Sequence, residues 1–155
     1  MKVKIERILV PMDFSSFSLA ALEYATALAE SFGAELHLIH VMEDPVPYAR
    51  KSESLAIVAK LREELQGEAE AEIKAAAAAH VGSDLTLRHS ITWGEPFVDI
   101  VRYARDNEID LIVMGTHGRG AVQHMLLGSV AEKVLRKAPC PVLTVRDPEQ
   151  EFVLP

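Results

Sequence analysis

Apolar residues occur in short blocks, separated by segments in which they recur every three or four positions. The blocks predict strands and the segments predict helices, and the two alternate along the chain. Strands are predicted at Ile8–Pro11, Glu35–Val41, Leu85–Thr92, Leu111–Gly115 and Val142–Val145. Helices are predicted from about Phe17 to Phe32, Glu53 to His80, Pro96 to Asn107 and Ser129 to Lys137. This alternation is typical of an open α/β fold, in which parallel strands are joined by right-handed crossovers.

The second predicted helix is long and amphipathic. Its apolar stripe is expected to run along Leu55, Val58, Leu61, Arg62 and Leu65, and alanine-rich turns continue it. The chain shows no internal repeat and no linker, so one domain is predicted over residues 1–146. Residues 147–155 are expected to form a C-terminal tail.

Composition narrows the class of protein. The chain has 155 residues, 49% of them hydrophobic, which suits one domain with a real core. Its formal charge of −7 argues against nonspecific binding to nucleic acid, which needs a basic surface. No apolar run reaches the roughly 18 residues that span a bilayer, and the single cysteine, Cys140, excludes an internal disulfide. We therefore expect a cytoplasmic protein that does not enter membranes.

The candidate chemistry lies in a glycine-rich segment between the last two strands. Gly115, Gly118 and the pair Gly128-Ser129 are spaced as G-x-x-G, nine residues, then G-S. Glycines let the backbone approach a ligand closely or adopt positive φ. A helix is predicted to begin at Ser129, and a helix N-terminus attracts phosphate through its unpaired N–H groups and its dipole. The segment is therefore interpreted as a cradle for a nucleotide phosphate.

Other interpretations of the same segment stay open. The pattern G-x-x-x-x-G-K-[ST] is absent from the sequence, which excludes a Walker A loop. The glycines of the segment would also be compatible with a purely structural loop of tight turns. In that case Ser129 would be an ordinary N-cap of the following helix.

The glycine-rich segment and the first strand together resemble a known family. The sequences GTHGRG and LLGSVAEKVLRKAPCPVLTVR, with the opening ILVPMDFSSFSLAALEYA, are similar to those of universal stress proteins, over about residues 3 to 146. The spacing of the glycines is the one that marks the ATP-binding branch of that family. The resemblance implies a Rossmann-like, five-stranded sheet of order 3-2-1-4-5.

The strand order has a consequence for the site, because parallel sheets bind ligands at the carboxyl ends of their strands. In the order 3-2-1-4-5 the loops after strands one and four face each other. The resemblance places the backbone of Val41 against adenine. It implies that the pocket floor and phosphate cradle consist of Met114, Gly115, Gly118, Gly128, Ser129 and Val130. The loop after strand one adds Pro11, Met12 and Asp13.

Three side chains of these loops each allow more than one role. Asp13 can accept hydrogen bonds from ribose hydroxyls or help to hold a phosphate-bound metal, or it can cap the helix that begins near Ser16. Arg119 can pair with phosphate or remain solvated on its loop. His117 is expected to form hydrogen bonds within the loop rather than to act as a catalytic base.

His37 and His40 should point to opposite faces of their strand, which prevents them from chelating one ion.

Three functions compete at this point. The first is an ATP-binding regulator, with Mg²⁺ bridging the phosphates; the second is a slow ATPase; the third is a dimeric scaffold that binds no nucleotide. Efficient hydrolysis is not expected, because the sequence offers no P-loop lysine. The resemblance also implies a homodimer that pairs through the fifth strand, formed by Val142, Leu143, Thr144 and Val145. We expect an ATP-binding stress-response regulator of this dimeric kind, acting with a protein partner that the sequence does not identify.

Overall fold

The computed structural model describes residues 4–44, 55–118 and 127–146. Within these ranges the strands are β1 (Arg7–Pro11), β2 (Glu35–Met42), β3 (Leu87–Trp93), β4 (Leu111–Gly115) and β5 (Val142–Val145). The helices are α1 (Ser16–Phe32), α2 (Leu55–His80), α3 (Pro96–Asp106) and α4 (Ser129–Lys137). The expected tail, 147–155, and Arg119 lie outside the described residues.

The strands form one sheet with the order β3-β2-β1-β4-β5, and every pair of neighbours is parallel. This confirms the predicted fold class and the strand order that the resemblance implies. Because β1 and β4 are neighbours in the sheet, the loops that follow them leave the same edge side by side.

Four strand boundaries differ from the prediction, each by one or two residues, and two of them have local reasons. β1 begins one residue early, where Oδ2 of Asp110 accepts hydrogen bonds from the backbone N–H groups of Glu6 at 2.8 Å and Arg7 at 3.0 Å. β3 begins two residues late, because the N–H of Leu85 donates to the carbonyl of Gly82 at 3.2 Å and keeps Leu85 in a turn.

Helices cover both faces of the sheet and create two hydrophobic layers. Buried residues of α1 and α2, among them Leu22 and Ile73, pack on one face against β1 and β2. Buried residues of α3 and α4, among them Ile100 and Val134, pack on the other face. Ile73 is completely buried, and truncation to alanine at such a site usually costs about 2–5 kcal/mol.

The predicted stripe along the first half of α2 is only partly correct. Val58, Arg62 and Leu65 are half-buried, but Leu55 is 89% exposed and Leu61 is 42% exposed. The fully buried positions of the helix are Ala69, Ile73 and Ala76. A helix of 26 residues is about 39 Å long at 1.5 Å per residue, which exceeds the roughly 25 Å of the strands beneath it. Only the second half of α2 can therefore pack fully on the sheet.

Helix α1 has well-defined signals at both ends. Ser15 is its N-cap and accepts a hydrogen bond from the N–H of Ser18 at 3.3 Å. Gly33 ends the helix with φ of 67°, in the left-handed conformation that glycine adopts without strain.

Of the helices in the described ranges, none is long and apolar enough to cross a membrane.

Candidate functional site

A cavity of about 480 Å³ opens at the carboxyl edge of the sheet, between the loops that follow β1 and β4. This is where parallel α/β folds bind their ligands. Residues from both hydrophobic layers reach it. The cavity is lined by Pro11, Met12, Asp13, Ser18, Ile39, Val41, Glu43, Pro96, Ile100, Met114, Gly115, His117, Gly118, Gly128, Ser129, Val130 and Ala131.

The structure brings nearly all of the sequence-predicted site residues into this one cavity. Eleven of them line it, namely Pro11, Met12, Asp13, Val41, Met114, Gly115, His117, Gly118, Gly128, Ser129 and Val130. Arg119 is the predicted residue that the described ranges do not include. The roles of these residues toward a nucleotide stay predictions.

Asp13 combines a structural contact with a place in the cavity wall. Its Oδ1 accepts hydrogen bonds from the backbone N–H of Ser15 at 3.0 Å and from the Ser15 hydroxyl at 2.5 Å. Ser15, not Asp13, is the residue that caps α1. Asp13 therefore orients the cap residue of the helix instead of capping it, and its carboxylate also borders the cavity.

The glycines of the motif leave room for neighbouring protein atoms, and their backbone angles are ordinary. Among the described residues, Gly33 is the glycine with positive φ, so Gly115, Gly118 and Gly128 do not take that conformation. A β-carbon on Gly118 would lie 2.5 Å from Oδ2 of Asp13. The same atom on Gly115 would lie 2.7 Å from the β-carbon of Phe17. Gly115 thus lets α1 pack on β4, although the motif had suggested only a ligand contact or a turn.

Helix α4 starts at the cavity without a side-chain cap. Gly128 is its N-cap, so the alternative in which Ser129 is the cap is wrong. The N–H of Gly128 donates to the Thr116 carbonyl at 2.6 Å, which ties the helix start to the loop after β4. The N–H of Glu132 donates to the Gly128 carbonyl at 2.9 Å. This is the first hydrogen bond of the helix, so the N–H groups of Ser129, Val130 and Ala131 have no acceptor within it. All three residues line the cavity.

Charge in the described part of the wall comes from Asp13 and Glu43, with His117 as a titratable neighbour. Nδ1 of His117 lies 3.1 Å from Oγ1 of Thr116, and its ring packs on Phe17 with centroids 5.3 Å apart. These contacts agree with the expected role of His117 within the loop. Across residues 4–44, 55–118 and 127–146, no three His, Cys, Asp or Glu side chains come together to hold a metal ion.

The two histidines of β2 do point to opposite faces. Nδ1 of His37 is 2.9 Å from the hydroxyl of Tyr103 on α3. Nδ1 of His40 is 2.7 Å from the carbonyl oxygen of Met12, and the His40 ring packs on Phe14. The contact between His40 and the loop after β1 was not predicted.

Sequence reasoning missed six further lining residues: Ser18, Ile39, Glu43, Pro96, Ile100 and Ala131. For Ile39 a signal existed, because the strand period of two places it on the same face as Val41. Pro96 and Ile100 belong to α3. Their approach to the cavity depends on how α3 crosses the sheet, which residue spacing does not encode.

Comparison with known proteins agrees with this architecture. A sequence model of the universal stress protein family matches residues 4–146. The chain belongs to the universal stress protein family. Universal stress protein MJ0531 of Methanocaldococcus jannaschii is 35% identical over 147 residues, covering 94% of this chain and 85% of the relative.

Solved structures of universal stress proteins share the fold. Protein MJ0577 of Methanocaldococcus jannaschii superposes with a TM-score of 0.82 at 30% identity, covering 93% of this chain and 97% of that one. A universal stress protein solved in complex with cAMP has a TM-score of 0.62 at 26% identity, covering 93% and 98%. At least one member of this family therefore binds an adenine nucleotide.

Proposed function

We propose that this universal stress protein binds ATP in the cavity and acts as a nucleotide-dependent regulator in the cytoplasmic stress response. The observation that carries the proposal is the start of α4, where Ser129, Val130 and Ala131 line the cavity and no side chain caps the helix. Uncapped N–H groups and the positive end of the helix dipole stabilise a phosphate group at such a position.

The remainder of the cavity suits a nucleoside. Ile39, Val41, Ile100 and Met114 provide an apolar wall of the kind that accepts a purine base, and a few polar groups border it. We assign the carboxylate of Asp13 to a polar group of the ligand, either the ribose hydroxyls or a phosphate-bound Mg²⁺. The relative solved with cAMP supports an adenine nucleotide as the ligand class.

The residues present also fit Mg²⁺ as a companion of the nucleotide. Mg²⁺ is usually held by one or two carboxylates together with substrate phosphates, not by an all-protein cage. Asp13 supplies such a carboxylate beside the uncapped helix start, and the described residues build no cage of their own. The ion would offset the repulsion between the phosphates and the carboxylates of Asp13 and Glu43.

Regulation, rather than turnover, is the role we assign to the bound nucleotide. Phosphoryl transfer needs cationic groups on the transferring phosphate and a positioned nucleophile. The sequence offers no P-loop lysine to supply such a group, and Arg119, which could pair with phosphate, lies outside the described residues. Any hydrolysis should therefore be far slower than the roughly 10 per second of a median enzyme.

We further propose that two copies pair through β5. This strand is at the edge of the sheet, and Leu143 in its middle is 39% exposed. An exposed apolar edge strand tends to pair with another chain. Pairing of β5 with a second copy would leave the cavity of each subunit intact.

Calorimetric titration of the nucleotide-stripped protein with ATP and Mg²⁺ tests the main proposal. The expected result is micromolar binding near one nucleotide per subunit, together with a higher melting temperature. Absence of heat, and of thermal stabilisation at millimolar ATP, would contradict nucleotide binding and would favour the dimeric scaffold.

A further inference from the structure

His40 makes an unusual connection between β2 and the loop that carries Asp13. Because a carbonyl oxygen can only accept, the 2.7 Å contact identifies Nδ1 of His40 as the atom that donates to the Met12 carbonyl. The N–H of Met12 donates in turn to the carbonyl of Ile39 at 2.8 Å. Both backbone polar groups of Met12 are thus held by β2.

The residue on the other side of Asp13 is equally constrained. Phe14 has φ of 63°, in the left-handed region that bulky residues rarely adopt. Its ring packs on His40, with ring centroids 4.7 Å apart. Such backbone conformations persist only where the surroundings enforce them, and they concentrate at functional sites. His40 therefore contacts the residue before Asp13 and the residue after it.

We propose that His40 is a positioning residue for ligand binding, which acts through Asp13 without lining the cavity itself. Its hydrogen bond to the Met12 carbonyl fixes the backbone of Asp13 beside Gly118, and the packing of its ring on Phe14 makes a smaller contribution. This inference rests on the proposed nucleotide site, in which Asp13 contacts the ligand. His40 is thereby assigned a role in the affinity of the site.

Two substitutions at position 40 separate the hydrogen bond from the packing. His40→Phe keeps a ring against Phe14 but removes the donor. His40→Asn removes the ring, but its amide nitrogen occupies nearly the place of Nδ1 and can still donate to the Met12 carbonyl. In calorimetric titrations with ATP and Mg²⁺, His40→Phe is expected to weaken binding at least tenfold and His40→Asn less than threefold.

A double-mutant cycle tests the path through Asp13, since coupled residues show non-additive effects. Asp13→Asn alone is expected to weaken ATP binding, and adding His40→Phe to it should weaken binding by no more than a further twofold. A merely structural role of His40 would leave the two losses independent. Multiplying losses, or wild-type affinity in His40→Phe, would overturn the inference. If His40→Phe does not fold, His40→Leu, which is closer in volume, takes its place.

A second readout needs no nucleotide. In the ligand-free protein, the NMR resonance of the Asp13 carboxyl carbon is expected to move in His40→Phe and to stay in place in His40→Asn, with His89→Phe as a surface control. An unmoved resonance in His40→Phe would overturn the positioning role even if ATP binds. A moved resonance in a protein that binds no ATP would contradict the proposed function alone.

Discussion

The carboxylate of Asp13 lies directly against the backbone of Gly118, so that a β-carbon at position 118 would stand 2.5 Å from Oδ2. This distance is shorter than non-bonded carbon and oxygen atoms tolerate. The contact joins the loop after β1 to the loop after β4 at the edge of the cavity. Glycine at position 118 is therefore required for the observed placement of Asp13.

Gly118→Ala is expected to displace the Asp13 carboxylate and to weaken ATP binding at least tenfold, about 1.4 kcal/mol. Gly67→Ala is the matched control, because a β-carbon there meets nothing within 4 Å in the interior of α2. That control should keep ATP affinity and raise stability by about 0.5–1 kcal/mol. Calorimetry and urea unfolding of both variants measure the two effects. Unchanged affinity in a folded Gly118→Ala protein would contradict the role of this contact.

Gly115→Ala should act on stability first. The new β-carbon would lie 2.7 Å from the β-carbon of Phe17 and 2.9 Å from its backbone carbonyl group, and backbone atoms cannot rotate away. Overpacking of this kind typically costs about 1–3 kcal/mol. Urea unfolding measures the loss, and a stability equal to wild type would show that α1 can shift freely on β4.

Ser129→Pro isolates the contribution of one backbone N–H to ligand binding. Proline is tolerated at the first position of a helix, and Gly128 already has the extended φ of −70° and ψ of 155° that a residue before proline requires. The helix should form, while ATP binding should weaken at least tenfold because a donor is lost from the cradle. Ser129→Ala keeps the N–H and is expected to bind more tightly than Ser129→Pro. Equal affinities of the two variants in calorimetry would speak against an amide contact.

Leu143→Asp is expected to convert the proposed dimer into a monomer, because it places a charge in the middle of an apolar edge strand. Sedimentation equilibrium gives the mass directly. Leu135→Asp is a useful control, since Leu135 is similarly exposed at 44% but lies on α4. A dimer that survives Leu143→Asp would exclude the β5 contact.

Acid should weaken the fold through His37. Burial lowers the pKa of His37 more than the neighbouring carboxylate of Glu35 raises it. The folded state therefore holds a neutral imidazole, whereas the unfolded chain takes up a proton below about pH 6.5. The free energy of unfolding is therefore highest above about pH 6.5, where both states hold a neutral His37. It decreases as the pH falls below that value, because only the unfolded chain gains the proton. Urea unfolding between pH 7.5 and 5.5 should show a decline that is smaller in His37→Gln, and parallel declines would rule out His37 as its source.

The strands and the start of α4 were accessible from local signals in the sequence, whereas the sheet order and lining residues such as Val41 came from the resemblance to a known family. Apolar blocks define strands because their faces are buried, and the glycine spacing marks the start of α4. The position of Ser129 at the start of a helix follows from the helical pattern of Ser129–Lys137, which has basic residues in its last turn. Such signals involve residues that are close in the sequence, so they can be recognised without knowing the tertiary contacts.

The features that escaped prediction depend on contacts between distant segments. His40 carries no signal of its role, since its partner is a carbonyl 28 positions earlier in the chain. The packing of Gly115 on Phe17 requires knowing where α1 crosses β4. The first half of α2 is largely exposed because the helix is longer than the strands beneath it. The spacing of apolar residues in α2 contains no information about the length of those strands.

The cavity receives residues from both hydrophobic layers, with Met12 on the α1 and α2 side and Ile100 and Ala131 on the α3 and α4 side. Helix α1 contributes Ser18 to the lining and α4 contributes Ser129, Val130 and Ala131. A molecule bound there would therefore contact helices on both faces at once, although the sheet separates those helices elsewhere. The stability of each layer would then depend on the same occupant.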